Sequence, residues 1–264
     1  MQSILHQIGY CLGCWLSCPR SQYDTLPNYQ PDSVMRCLRP GDVLLVEGTS
    51  RLSTAIKYLT QSSWSHAALY IGDALNDASS SGRKGTFIEA DVVEGVRIVD
   101  FDEFRGYNLR ICRPVGLRQE DIEALVEFVC QRVGYQYDLR NIFDLGRYLI
   151  PIPPVPSRWR RRMLGLGSGE PTRAICSTLI AQAFQSIDYP ILPDHVWQND
   201  ESLCRGCRRK ILKKRHYTLF TPRDFDFSPY FLVIKPMLEA GFTPYALKWE
   251  GKKEARDDDP VPVG

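Results

Sequence analysis

Between Pro40 and Val115 the chain carries five apolar runs broken by turn residues: "GDVLLVEG", "HAALYIGD", "TFIEADV", "GVRIVDFDEF" and "NLRICRPV". Short apolar runs bounded by Gly, Pro, Asp and Asn read as buried strands. One short helix, "SRLSTAIKYLTQ", interrupts them, with Leu52, Ala55, Ile56 and Leu59 on one face. After them comes "QEDIEALVEFVCQRVG", whose Ile122, Leu125, Val126, Val129 and Val133 recur at helical spacing and whose Gly134 is a C-terminal stop. Further on, "AICSTLIAQAFQSI" repeats that spacing through Leu179, Ile180, Ala183, Phe184 and Ile187. A block of strands followed by amphipathic helices predicts an α+β fold, with helices gathered against a mainly antiparallel sheet.

This block sets the expected domain limits. Residues 1–18 read as an amphipathic helix through Ile4, Leu5, Ile8, Leu12, Trp15 and Leu16, with Cys11, Cys14 and Cys18 along one edge. Residues 21–40 are polar and Pro-containing and read as a linker, so 1–39 form an N-terminal appendage. The main domain is expected over 40–235 and a frayed, charged and Pro-rich tail over 236–264. Within the domain, residues 138–172 combine prolines, a basic cluster and glycines, "LIPIPPVPSRWRRRMLGLGSGEP", and read as an inserted loop or lid.

Composition limits the functions open to such a chain. Over 264 residues the net charge is only +2, which argues against a general polyanion binder. The nine cysteines form no regular framework. The N-terminus lacks a basic region, an unbroken apolar core and a small-residue cleavage site, so free thiols in a reducing, cytoplasmic setting are expected. No apolar run approaches the roughly 20 residues that cross a bilayer.

One residue does not suit a strand that reads as core. His66 stands inside "SSWSHAALYIGD", between Trp64 and Ser65 on one side and Ala67 to Ile71 on the other. The plainer reading is a structural histidine with both nitrogens satisfied. The sharper one needs a partner, and Cys176 is a candidate, at the start of the "CSTLIAQAF" helix. The first turn of a helix stabilises a thiolate, an adjacent imidazole does so further, and unpaired backbone N–H groups there can hold an oxyanion. The plainer reading of Cys176 is a core thiol, since cysteine is among the residues most often buried. Glu89, in "TFIEAD", can orient the imidazole, because alternation lets a residue on the neighbouring strand share its face.

The segments around these residues resemble a family. "PGDVLLVEG", "SRLSTAIKYLTQSSWSHAALYIGD", "TFIEAD", "VGYQYDLRNIF" and "ICSTLIAQAF" occur in the order seen in permuted papain-like amidases of the YiiX type, within the NlpC-like cysteine peptidases. A downstream "TPRDF" is similar to the Ser/Thr-Pro segment near the end of that domain. The resemblance spans about residues 40–230 and implies a circularly permuted papain-like fold with histidine before cysteine. It implies Cys176 as nucleophile, His66 as base and then acid, Glu89 as the residue orienting His66, and cleavage of an amide or ester without a cofactor or metal. Tyr137 matches a family position near the site and, with Trp64 beside His66, is a candidate for substrate contact. Two features depart from the pattern. Thr178 stands where the family usually has an acidic residue and Ile175 where an aromatic is common, and the stretch between Asp138 and Cys176 is long.

Several other features stay open to more than one reading. Cys11, Cys14 and Cys18 can pack, accept acyl groups, or ligate metal if Cys204 and Cys207 supply further ligands. "SRWRRRMLG" and "CRGCRRKILKKRH" are either solvated faces or, with the N-terminal helix, a peripheral contact with an anionic membrane surface. Nucleic acid is not expected as a partner, because no recognisable module accompanies the charge. The function expected is a thiol hydrolase or acyltransferase, its substrate extending to lipids or lipidated molecules. The alternatives are a catalytically silent acyl-binding module on the same fold and a peptidoglycan-type endopeptidase, the latter disfavoured by the absence of cell-wall-binding repeats.

Overall fold

A computed structural model of the chain describes residues 14–15, 18, 29–74, 86–91, 93–136, 175–199, 208–236, 243 and 245. The elements run α1 (Pro31–Cys37), β1 (Val43–Glu47), α2 (Arg51–Thr60), β2 (His66–Gly72), β3 (Thr86–Asp91), β4 (Gly95–Asp100), a 3-10 turn (Phe101–Phe104), β5 (Asn108–Pro114) and α3 (Gln119–Cys130). Beyond them come α4 (Ile175–Ser186), β6 (Asp194–Asn199), β7 (Arg208–Lys213), a 3-10 turn (Tyr217–Leu219), α5 (Pro222–Phe227) and β8 (Phe231–Ile234).

Six strands form one sheet in the order β4-β3-β2-β1-β5-β8, and every neighbouring pair is antiparallel. The α+β expectation therefore holds, and each of the five expected strand segments contributes a strand to this sheet. Because β1 is central, alternate residues enter two different cores. Val43 and Leu45 face one with Ala67, Leu69, Ile71 and Ile88, closed by Leu125 and Val129 of α3 and by Leu179, Ile180 and Phe184 of α4. Leu44 and Val46 face the other with Ala68 and Phe87, closed by Val34, Phe101 and Phe104. Burial on both sides explains why β1 is apolar at its first four positions rather than alternating.

Three parts of the sequence reading are corrected. The polar stretch taken as linker contains α1, and Tyr29 donates from its hydroxyl to the Phe104 carbonyl at 3.1 Å. Val34 is buried in the second core, so residues 29–38 belong to the domain. Few apolar residues face inward there, which is why composition alone suggested a linker. "GVRIVDFDEF" is not one strand: it turns into a 3-10 segment after Asp100, which buries both Phe101 and Phe104. Finally, "DHVWQN" and the basic "RRKILK" pair as a separate two-stranded hairpin, β6–β7. Of the expected N-terminal helix, Cys14 and Trp15 are helical. The remaining residues of that helix, apart from Cys18, lie outside the described residues, as do the 138–172 insertion and most of the C-terminal tail.

The β3–β4 hairpin positions the candidate site. Asp91 accepts from the backbone N–H of Val93 and Glu94 at 2.7 and 2.9 Å, closing the turn. Gly95 has a φ of +78°, and a Cβ there would lie 2.4 Å from the Tyr135 carbonyl oxygen. That oxygen accepts from the Val96 N–H at 2.9 Å, while Gly134 donates to the Val96 carbonyl at 2.8 Å. Only glycine allows this approach, and it seats the hairpin on the loop that follows α3.

Candidate active site

His66 is the first residue of β2, at the end of the strand, where it pairs with Val46 of β1. Ala68 lies opposite Glu89, and Glu89 lies opposite Arg97. His66, Glu89 and Arg97 thus stand on three adjacent strands and are joined by hydrogen bonds. The His66 Nε2 lies 2.6 Å from Glu89 Oε2. The other carboxylate oxygen, Oε1, accepts from Arg97 Nε at 2.8 Å and Arg97 Nη2 at 2.7 Å. Glu89 is only 4 % exposed at its side chain, against 26 % for His66, so the carboxylate is an interior post and the imidazole faces outward from it.

Cys176 is the second residue of α4, the helix that packs on β2 and β3. It is buried, and its neighbours hold the helix start in place. Ser177 is fully buried and donates to the Phe220 carbonyl at 2.8 Å. Thr178, where the family pattern has an acid, is buried and its hydroxyl has no partner among the described residues. The first N–H groups of a helix have no intrahelical acceptor and remain available to a ligand. The Cys176 thiol lies near enough to the His66 ring to act on its ionisation.

The electrostatics follow from this chain of contacts. Burial favours the neutral form of His66, but the charges of Cys176 and Glu89, with a hydrogen bond to each, outweigh it and hold the pKa well above the ordinary 6.5. Burial likewise disfavours ionised Glu89, yet His66 and Arg97 override it and lower the carboxyl from 4.5 to about 2. A carboxylate with two cationic donors and no exposure stays charged and fixes the ring beside it.

A pH dependence of stability results. Glu89 has a depressed pKa in the fold, so its contribution is present above about 4.5 and is lost as the pH falls toward about 2. At about 1.4 kcal/mol per pH unit, this amounts to roughly 3 kcal/mol. His66 has a raised pKa, so its contribution is present below 6.5 and is lost as the pH rises through the higher, folded value. Urea unfolding of the native chain and of Glu89→Gln between pH 2 and 5 checks this. The native protein should lose stability across that range more steeply than the variant; equal slopes would mean that Glu89 is not ionised in the fold.

Of the remaining candidates, Trp64 is buried, and its indole N–H donates to Asp226 Oδ2 of α5 at 3.1 Å. Arg110 Nη1 binds the same carboxylate at 2.7 and 2.8 Å, and its guanidinium carbon lies 4.8 Å from the indole centroid. Trp64 thereby ties the start of β2 to β5 and α5. Tyr137 lies outside the described residues. Arg97 was missed by the sequence reading, which treated "GVRIVD" only as a strand. Its signal was the tight turn of "EADVVEGVR", which sets an arginine opposite Glu89. Among the described residues, no three His, Cys, Asp or Glu side chains are grouped to hold a metal ion. None of the described helices is long and apolar enough to cross a membrane.

The six-stranded antiparallel sheet thus presents His66 and Glu89 toward a cysteine in the first turn of a packed helix. Residues 37–147 match the model of the family described as permuted papain-like amidase enzymes, YaeF/YiiX, C92 family. That stretch contains His66, Glu89 and Arg97 and ends before Cys176. Among solved structures, the chain is similar to a crystal structure of metalloprotein yiiX from Escherichia coli O157:H7, at 14 % identity and a TM-score of 0.44. The likeness covers 75 % of this chain and 96 % of that one. No curated protein matches the chain. The fold is α+β, helices against an antiparallel sheet, and the family match makes the chain a cysteine amidase- or peptidase-like hydrolase.

Proposed function

We propose that the protein cleaves an amide or ester through an acyl intermediate on Cys176, with His66 as base and then acid and Glu89 as the group that orients it. The observation carrying this reading is the continuous run of contacts from Arg97 through Glu89 and His66 to Cys176. The Cys176 sulfur attacks the acyl carbon, forming a C–S bond as the carbonyl electrons move to oxygen. Backbone N–H groups at the start of α4 receive that oxyanion. Collapse breaks the C–N or C–O bond, and the leaving group takes the proton held by His66. Water, losing a proton to His66, then attacks the thioester and releases the acid and the thiol; an amine or hydroxyl acceptor in its place makes the same cycle an acyl transfer.

Trp64, two residues before His66, is proposed to form part of the wall beside the acyl group. A lipid or lipidated substrate is supported by the basic segments of the chain, whose cations suit an anionic surface. The test is turnover of a panel of acyl amides, esters and thioesters by the native protein and by Cys176→Ala. Activity confined to the native chain supports the reading, and full activity in the variant overturns it.

A further inference from the structure

The β6–β7 hairpin is the part of the fold that the active site does not use. Its register opposes His195 to Leu212, Val196 to Ile211, Gln198 to Arg209 and Asn199 to Arg208. Alternation then gathers His195, Trp197, Leu212 and Arg208 on one face. On that face Trp197 is 62 % and Leu212 54 % exposed, a large outlay of apolar surface on water for so small a sheet. Arg209 and Lys213 stand on the opposite face, also exposed. Among the described residues, Arg208, Arg209 and Lys213 form no ion pair with a carboxylate.

The cations near the body of the protein behave differently. Arg215 pairs with Asp194 at 3.0 Å, and Lys214 pairs with Asp188. Gln185, near the end of α4, donates to the Arg215 carbonyl at 2.6 Å. The base of the hairpin is therefore held by paired charges and by the Gln185 hydrogen bond to the helix that carries Cys176, while cations farther out along β7 are left unpaired beside an exposed indole. Nine residues of helix separate Gln185 from Cys176, about 14 Å at 1.5 Å per residue.

We propose that the β6–β7 hairpin docks on an anionic phospholipid surface, with Trp197 and Leu212 entering the interfacial layer, Arg208 beside them among the headgroups, and Arg209 and Lys213 on the other face adding to the attraction across the thin hairpin. Tryptophan suits this boundary because it is apolar along its ring and polar at its N–H. The unpaired cations complement the negative charge of such a surface, and the apolar pair gives the contact depth that charge alone does not. The hairpin is tied through Gln185 to the far end of the helix bearing the candidate nucleophile, so binding would hold the site close to the bilayer. The docking is read from the hairpin alone and stands or falls separately from the catalytic assignment.

The test uses the full chain with phosphatidylcholine vesicles containing about 30 % phosphatidylserine and with pure phosphatidylcholine vesicles, read by co-sedimentation and by the blue shift of tryptophan emission. Expected is binding to the anionic vesicles that weakens in high salt, with little binding to the neutral ones. Arg208→Glu with Arg209→Glu should weaken it at least 25-fold, at roughly fivefold per cation removed. Trp197→Ala should weaken it by about tenfold and remove most of the blue shift, and both variants should keep the circular dichroism of the native fold. No vesicle binding, equal binding to neutral vesicles, or unchanged binding in folded hairpin variants would each overturn the proposal. So would retention of the protein by a short nucleic-acid duplex in the absence of any vesicle binding.

Discussion

Cys176→Ala and His66→Ala are each expected to lower turnover by about 10⁴-fold or more, and the double variant should be little worse than either alone. That non-additivity is the mark of groups acting as one unit: without the imidazole the thiol lacks its base, and without the thiol the imidazole has nothing to activate. Glu89→Gln keeps the shape of the side chain but removes the charge that holds His66 and Arg97. It should cost less, about 10²-fold, and mainly in the chemical step rather than in substrate binding. Losses from Cys176→Ala and His66→Ala that simply multiply would mean that the two residues act separately. Steady-state turnover on whichever acyl substrate the native protein accepts provides the measurement.

The largest effect on stability is expected away from the site, at Asp42. This side chain is 1 % exposed and accepts from Arg113 Nε at 2.9 Å, Arg113 Nη2 at 2.7 Å and the Arg39 N–H at 2.8 Å. Arg113 also donates to the Cys37 carbonyl at the end of α1, so the pair joins α1, β1 and β5. Burial raises the Asp42 pKa, with the bonds from Arg113 and Arg39 opposing it, which marks the charge as costly to hold. Asp42→Ala removes the carboxylate that balances a guanidinium only 16 % exposed, and a loss of about 3–5 kcal/mol is expected. The double change Asp42→Leu with Arg113→Met removes both charges and should recover most of that loss. Urea unfolding of the three proteins decides the matter. A single variant within about 1 kcal/mol of the native protein would show that the pair is not what joins these elements.

The sheet was largely legible because its strands carry strong local signals. "GDVLLVEG" and "HAALYIGD" are dense in apolar residues, and Gly and Asp close them at the turns. His66 stood out against that background, and Glu89 could be paired with it by alternation alone. Arg97 could not, because an arginine in a strand reads as solvated until the register sets it against a buried carboxylate. Asp42 read as a turn residue for the same reason: its partner Arg113 lies far along the chain. The α1 helix was hidden by its polar composition, and β7 by its basic residues, which look like a solvated run until β6 is paired with it. The family resemblance supplied what residue patterns could not, namely that a cysteine more than 100 residues after His66 belongs beside it.

The central claim is that His66 and Cys176 form one activated pair, and limited alkylation tests it most directly. The native protein is treated with sub-stoichiometric iodoacetamide at pH 6, and modification at each cysteine is followed by peptide mass spectrometry, alongside His66→Ala. An ordinary thiol, with a pKa of about 8.5, reacts slowly at that pH. The account predicts that Cys176 is modified first in the native protein and that its lead vanishes in the variant. A Cys176 that reacts no faster than the other thiols, or equally fast without His66, would contradict it.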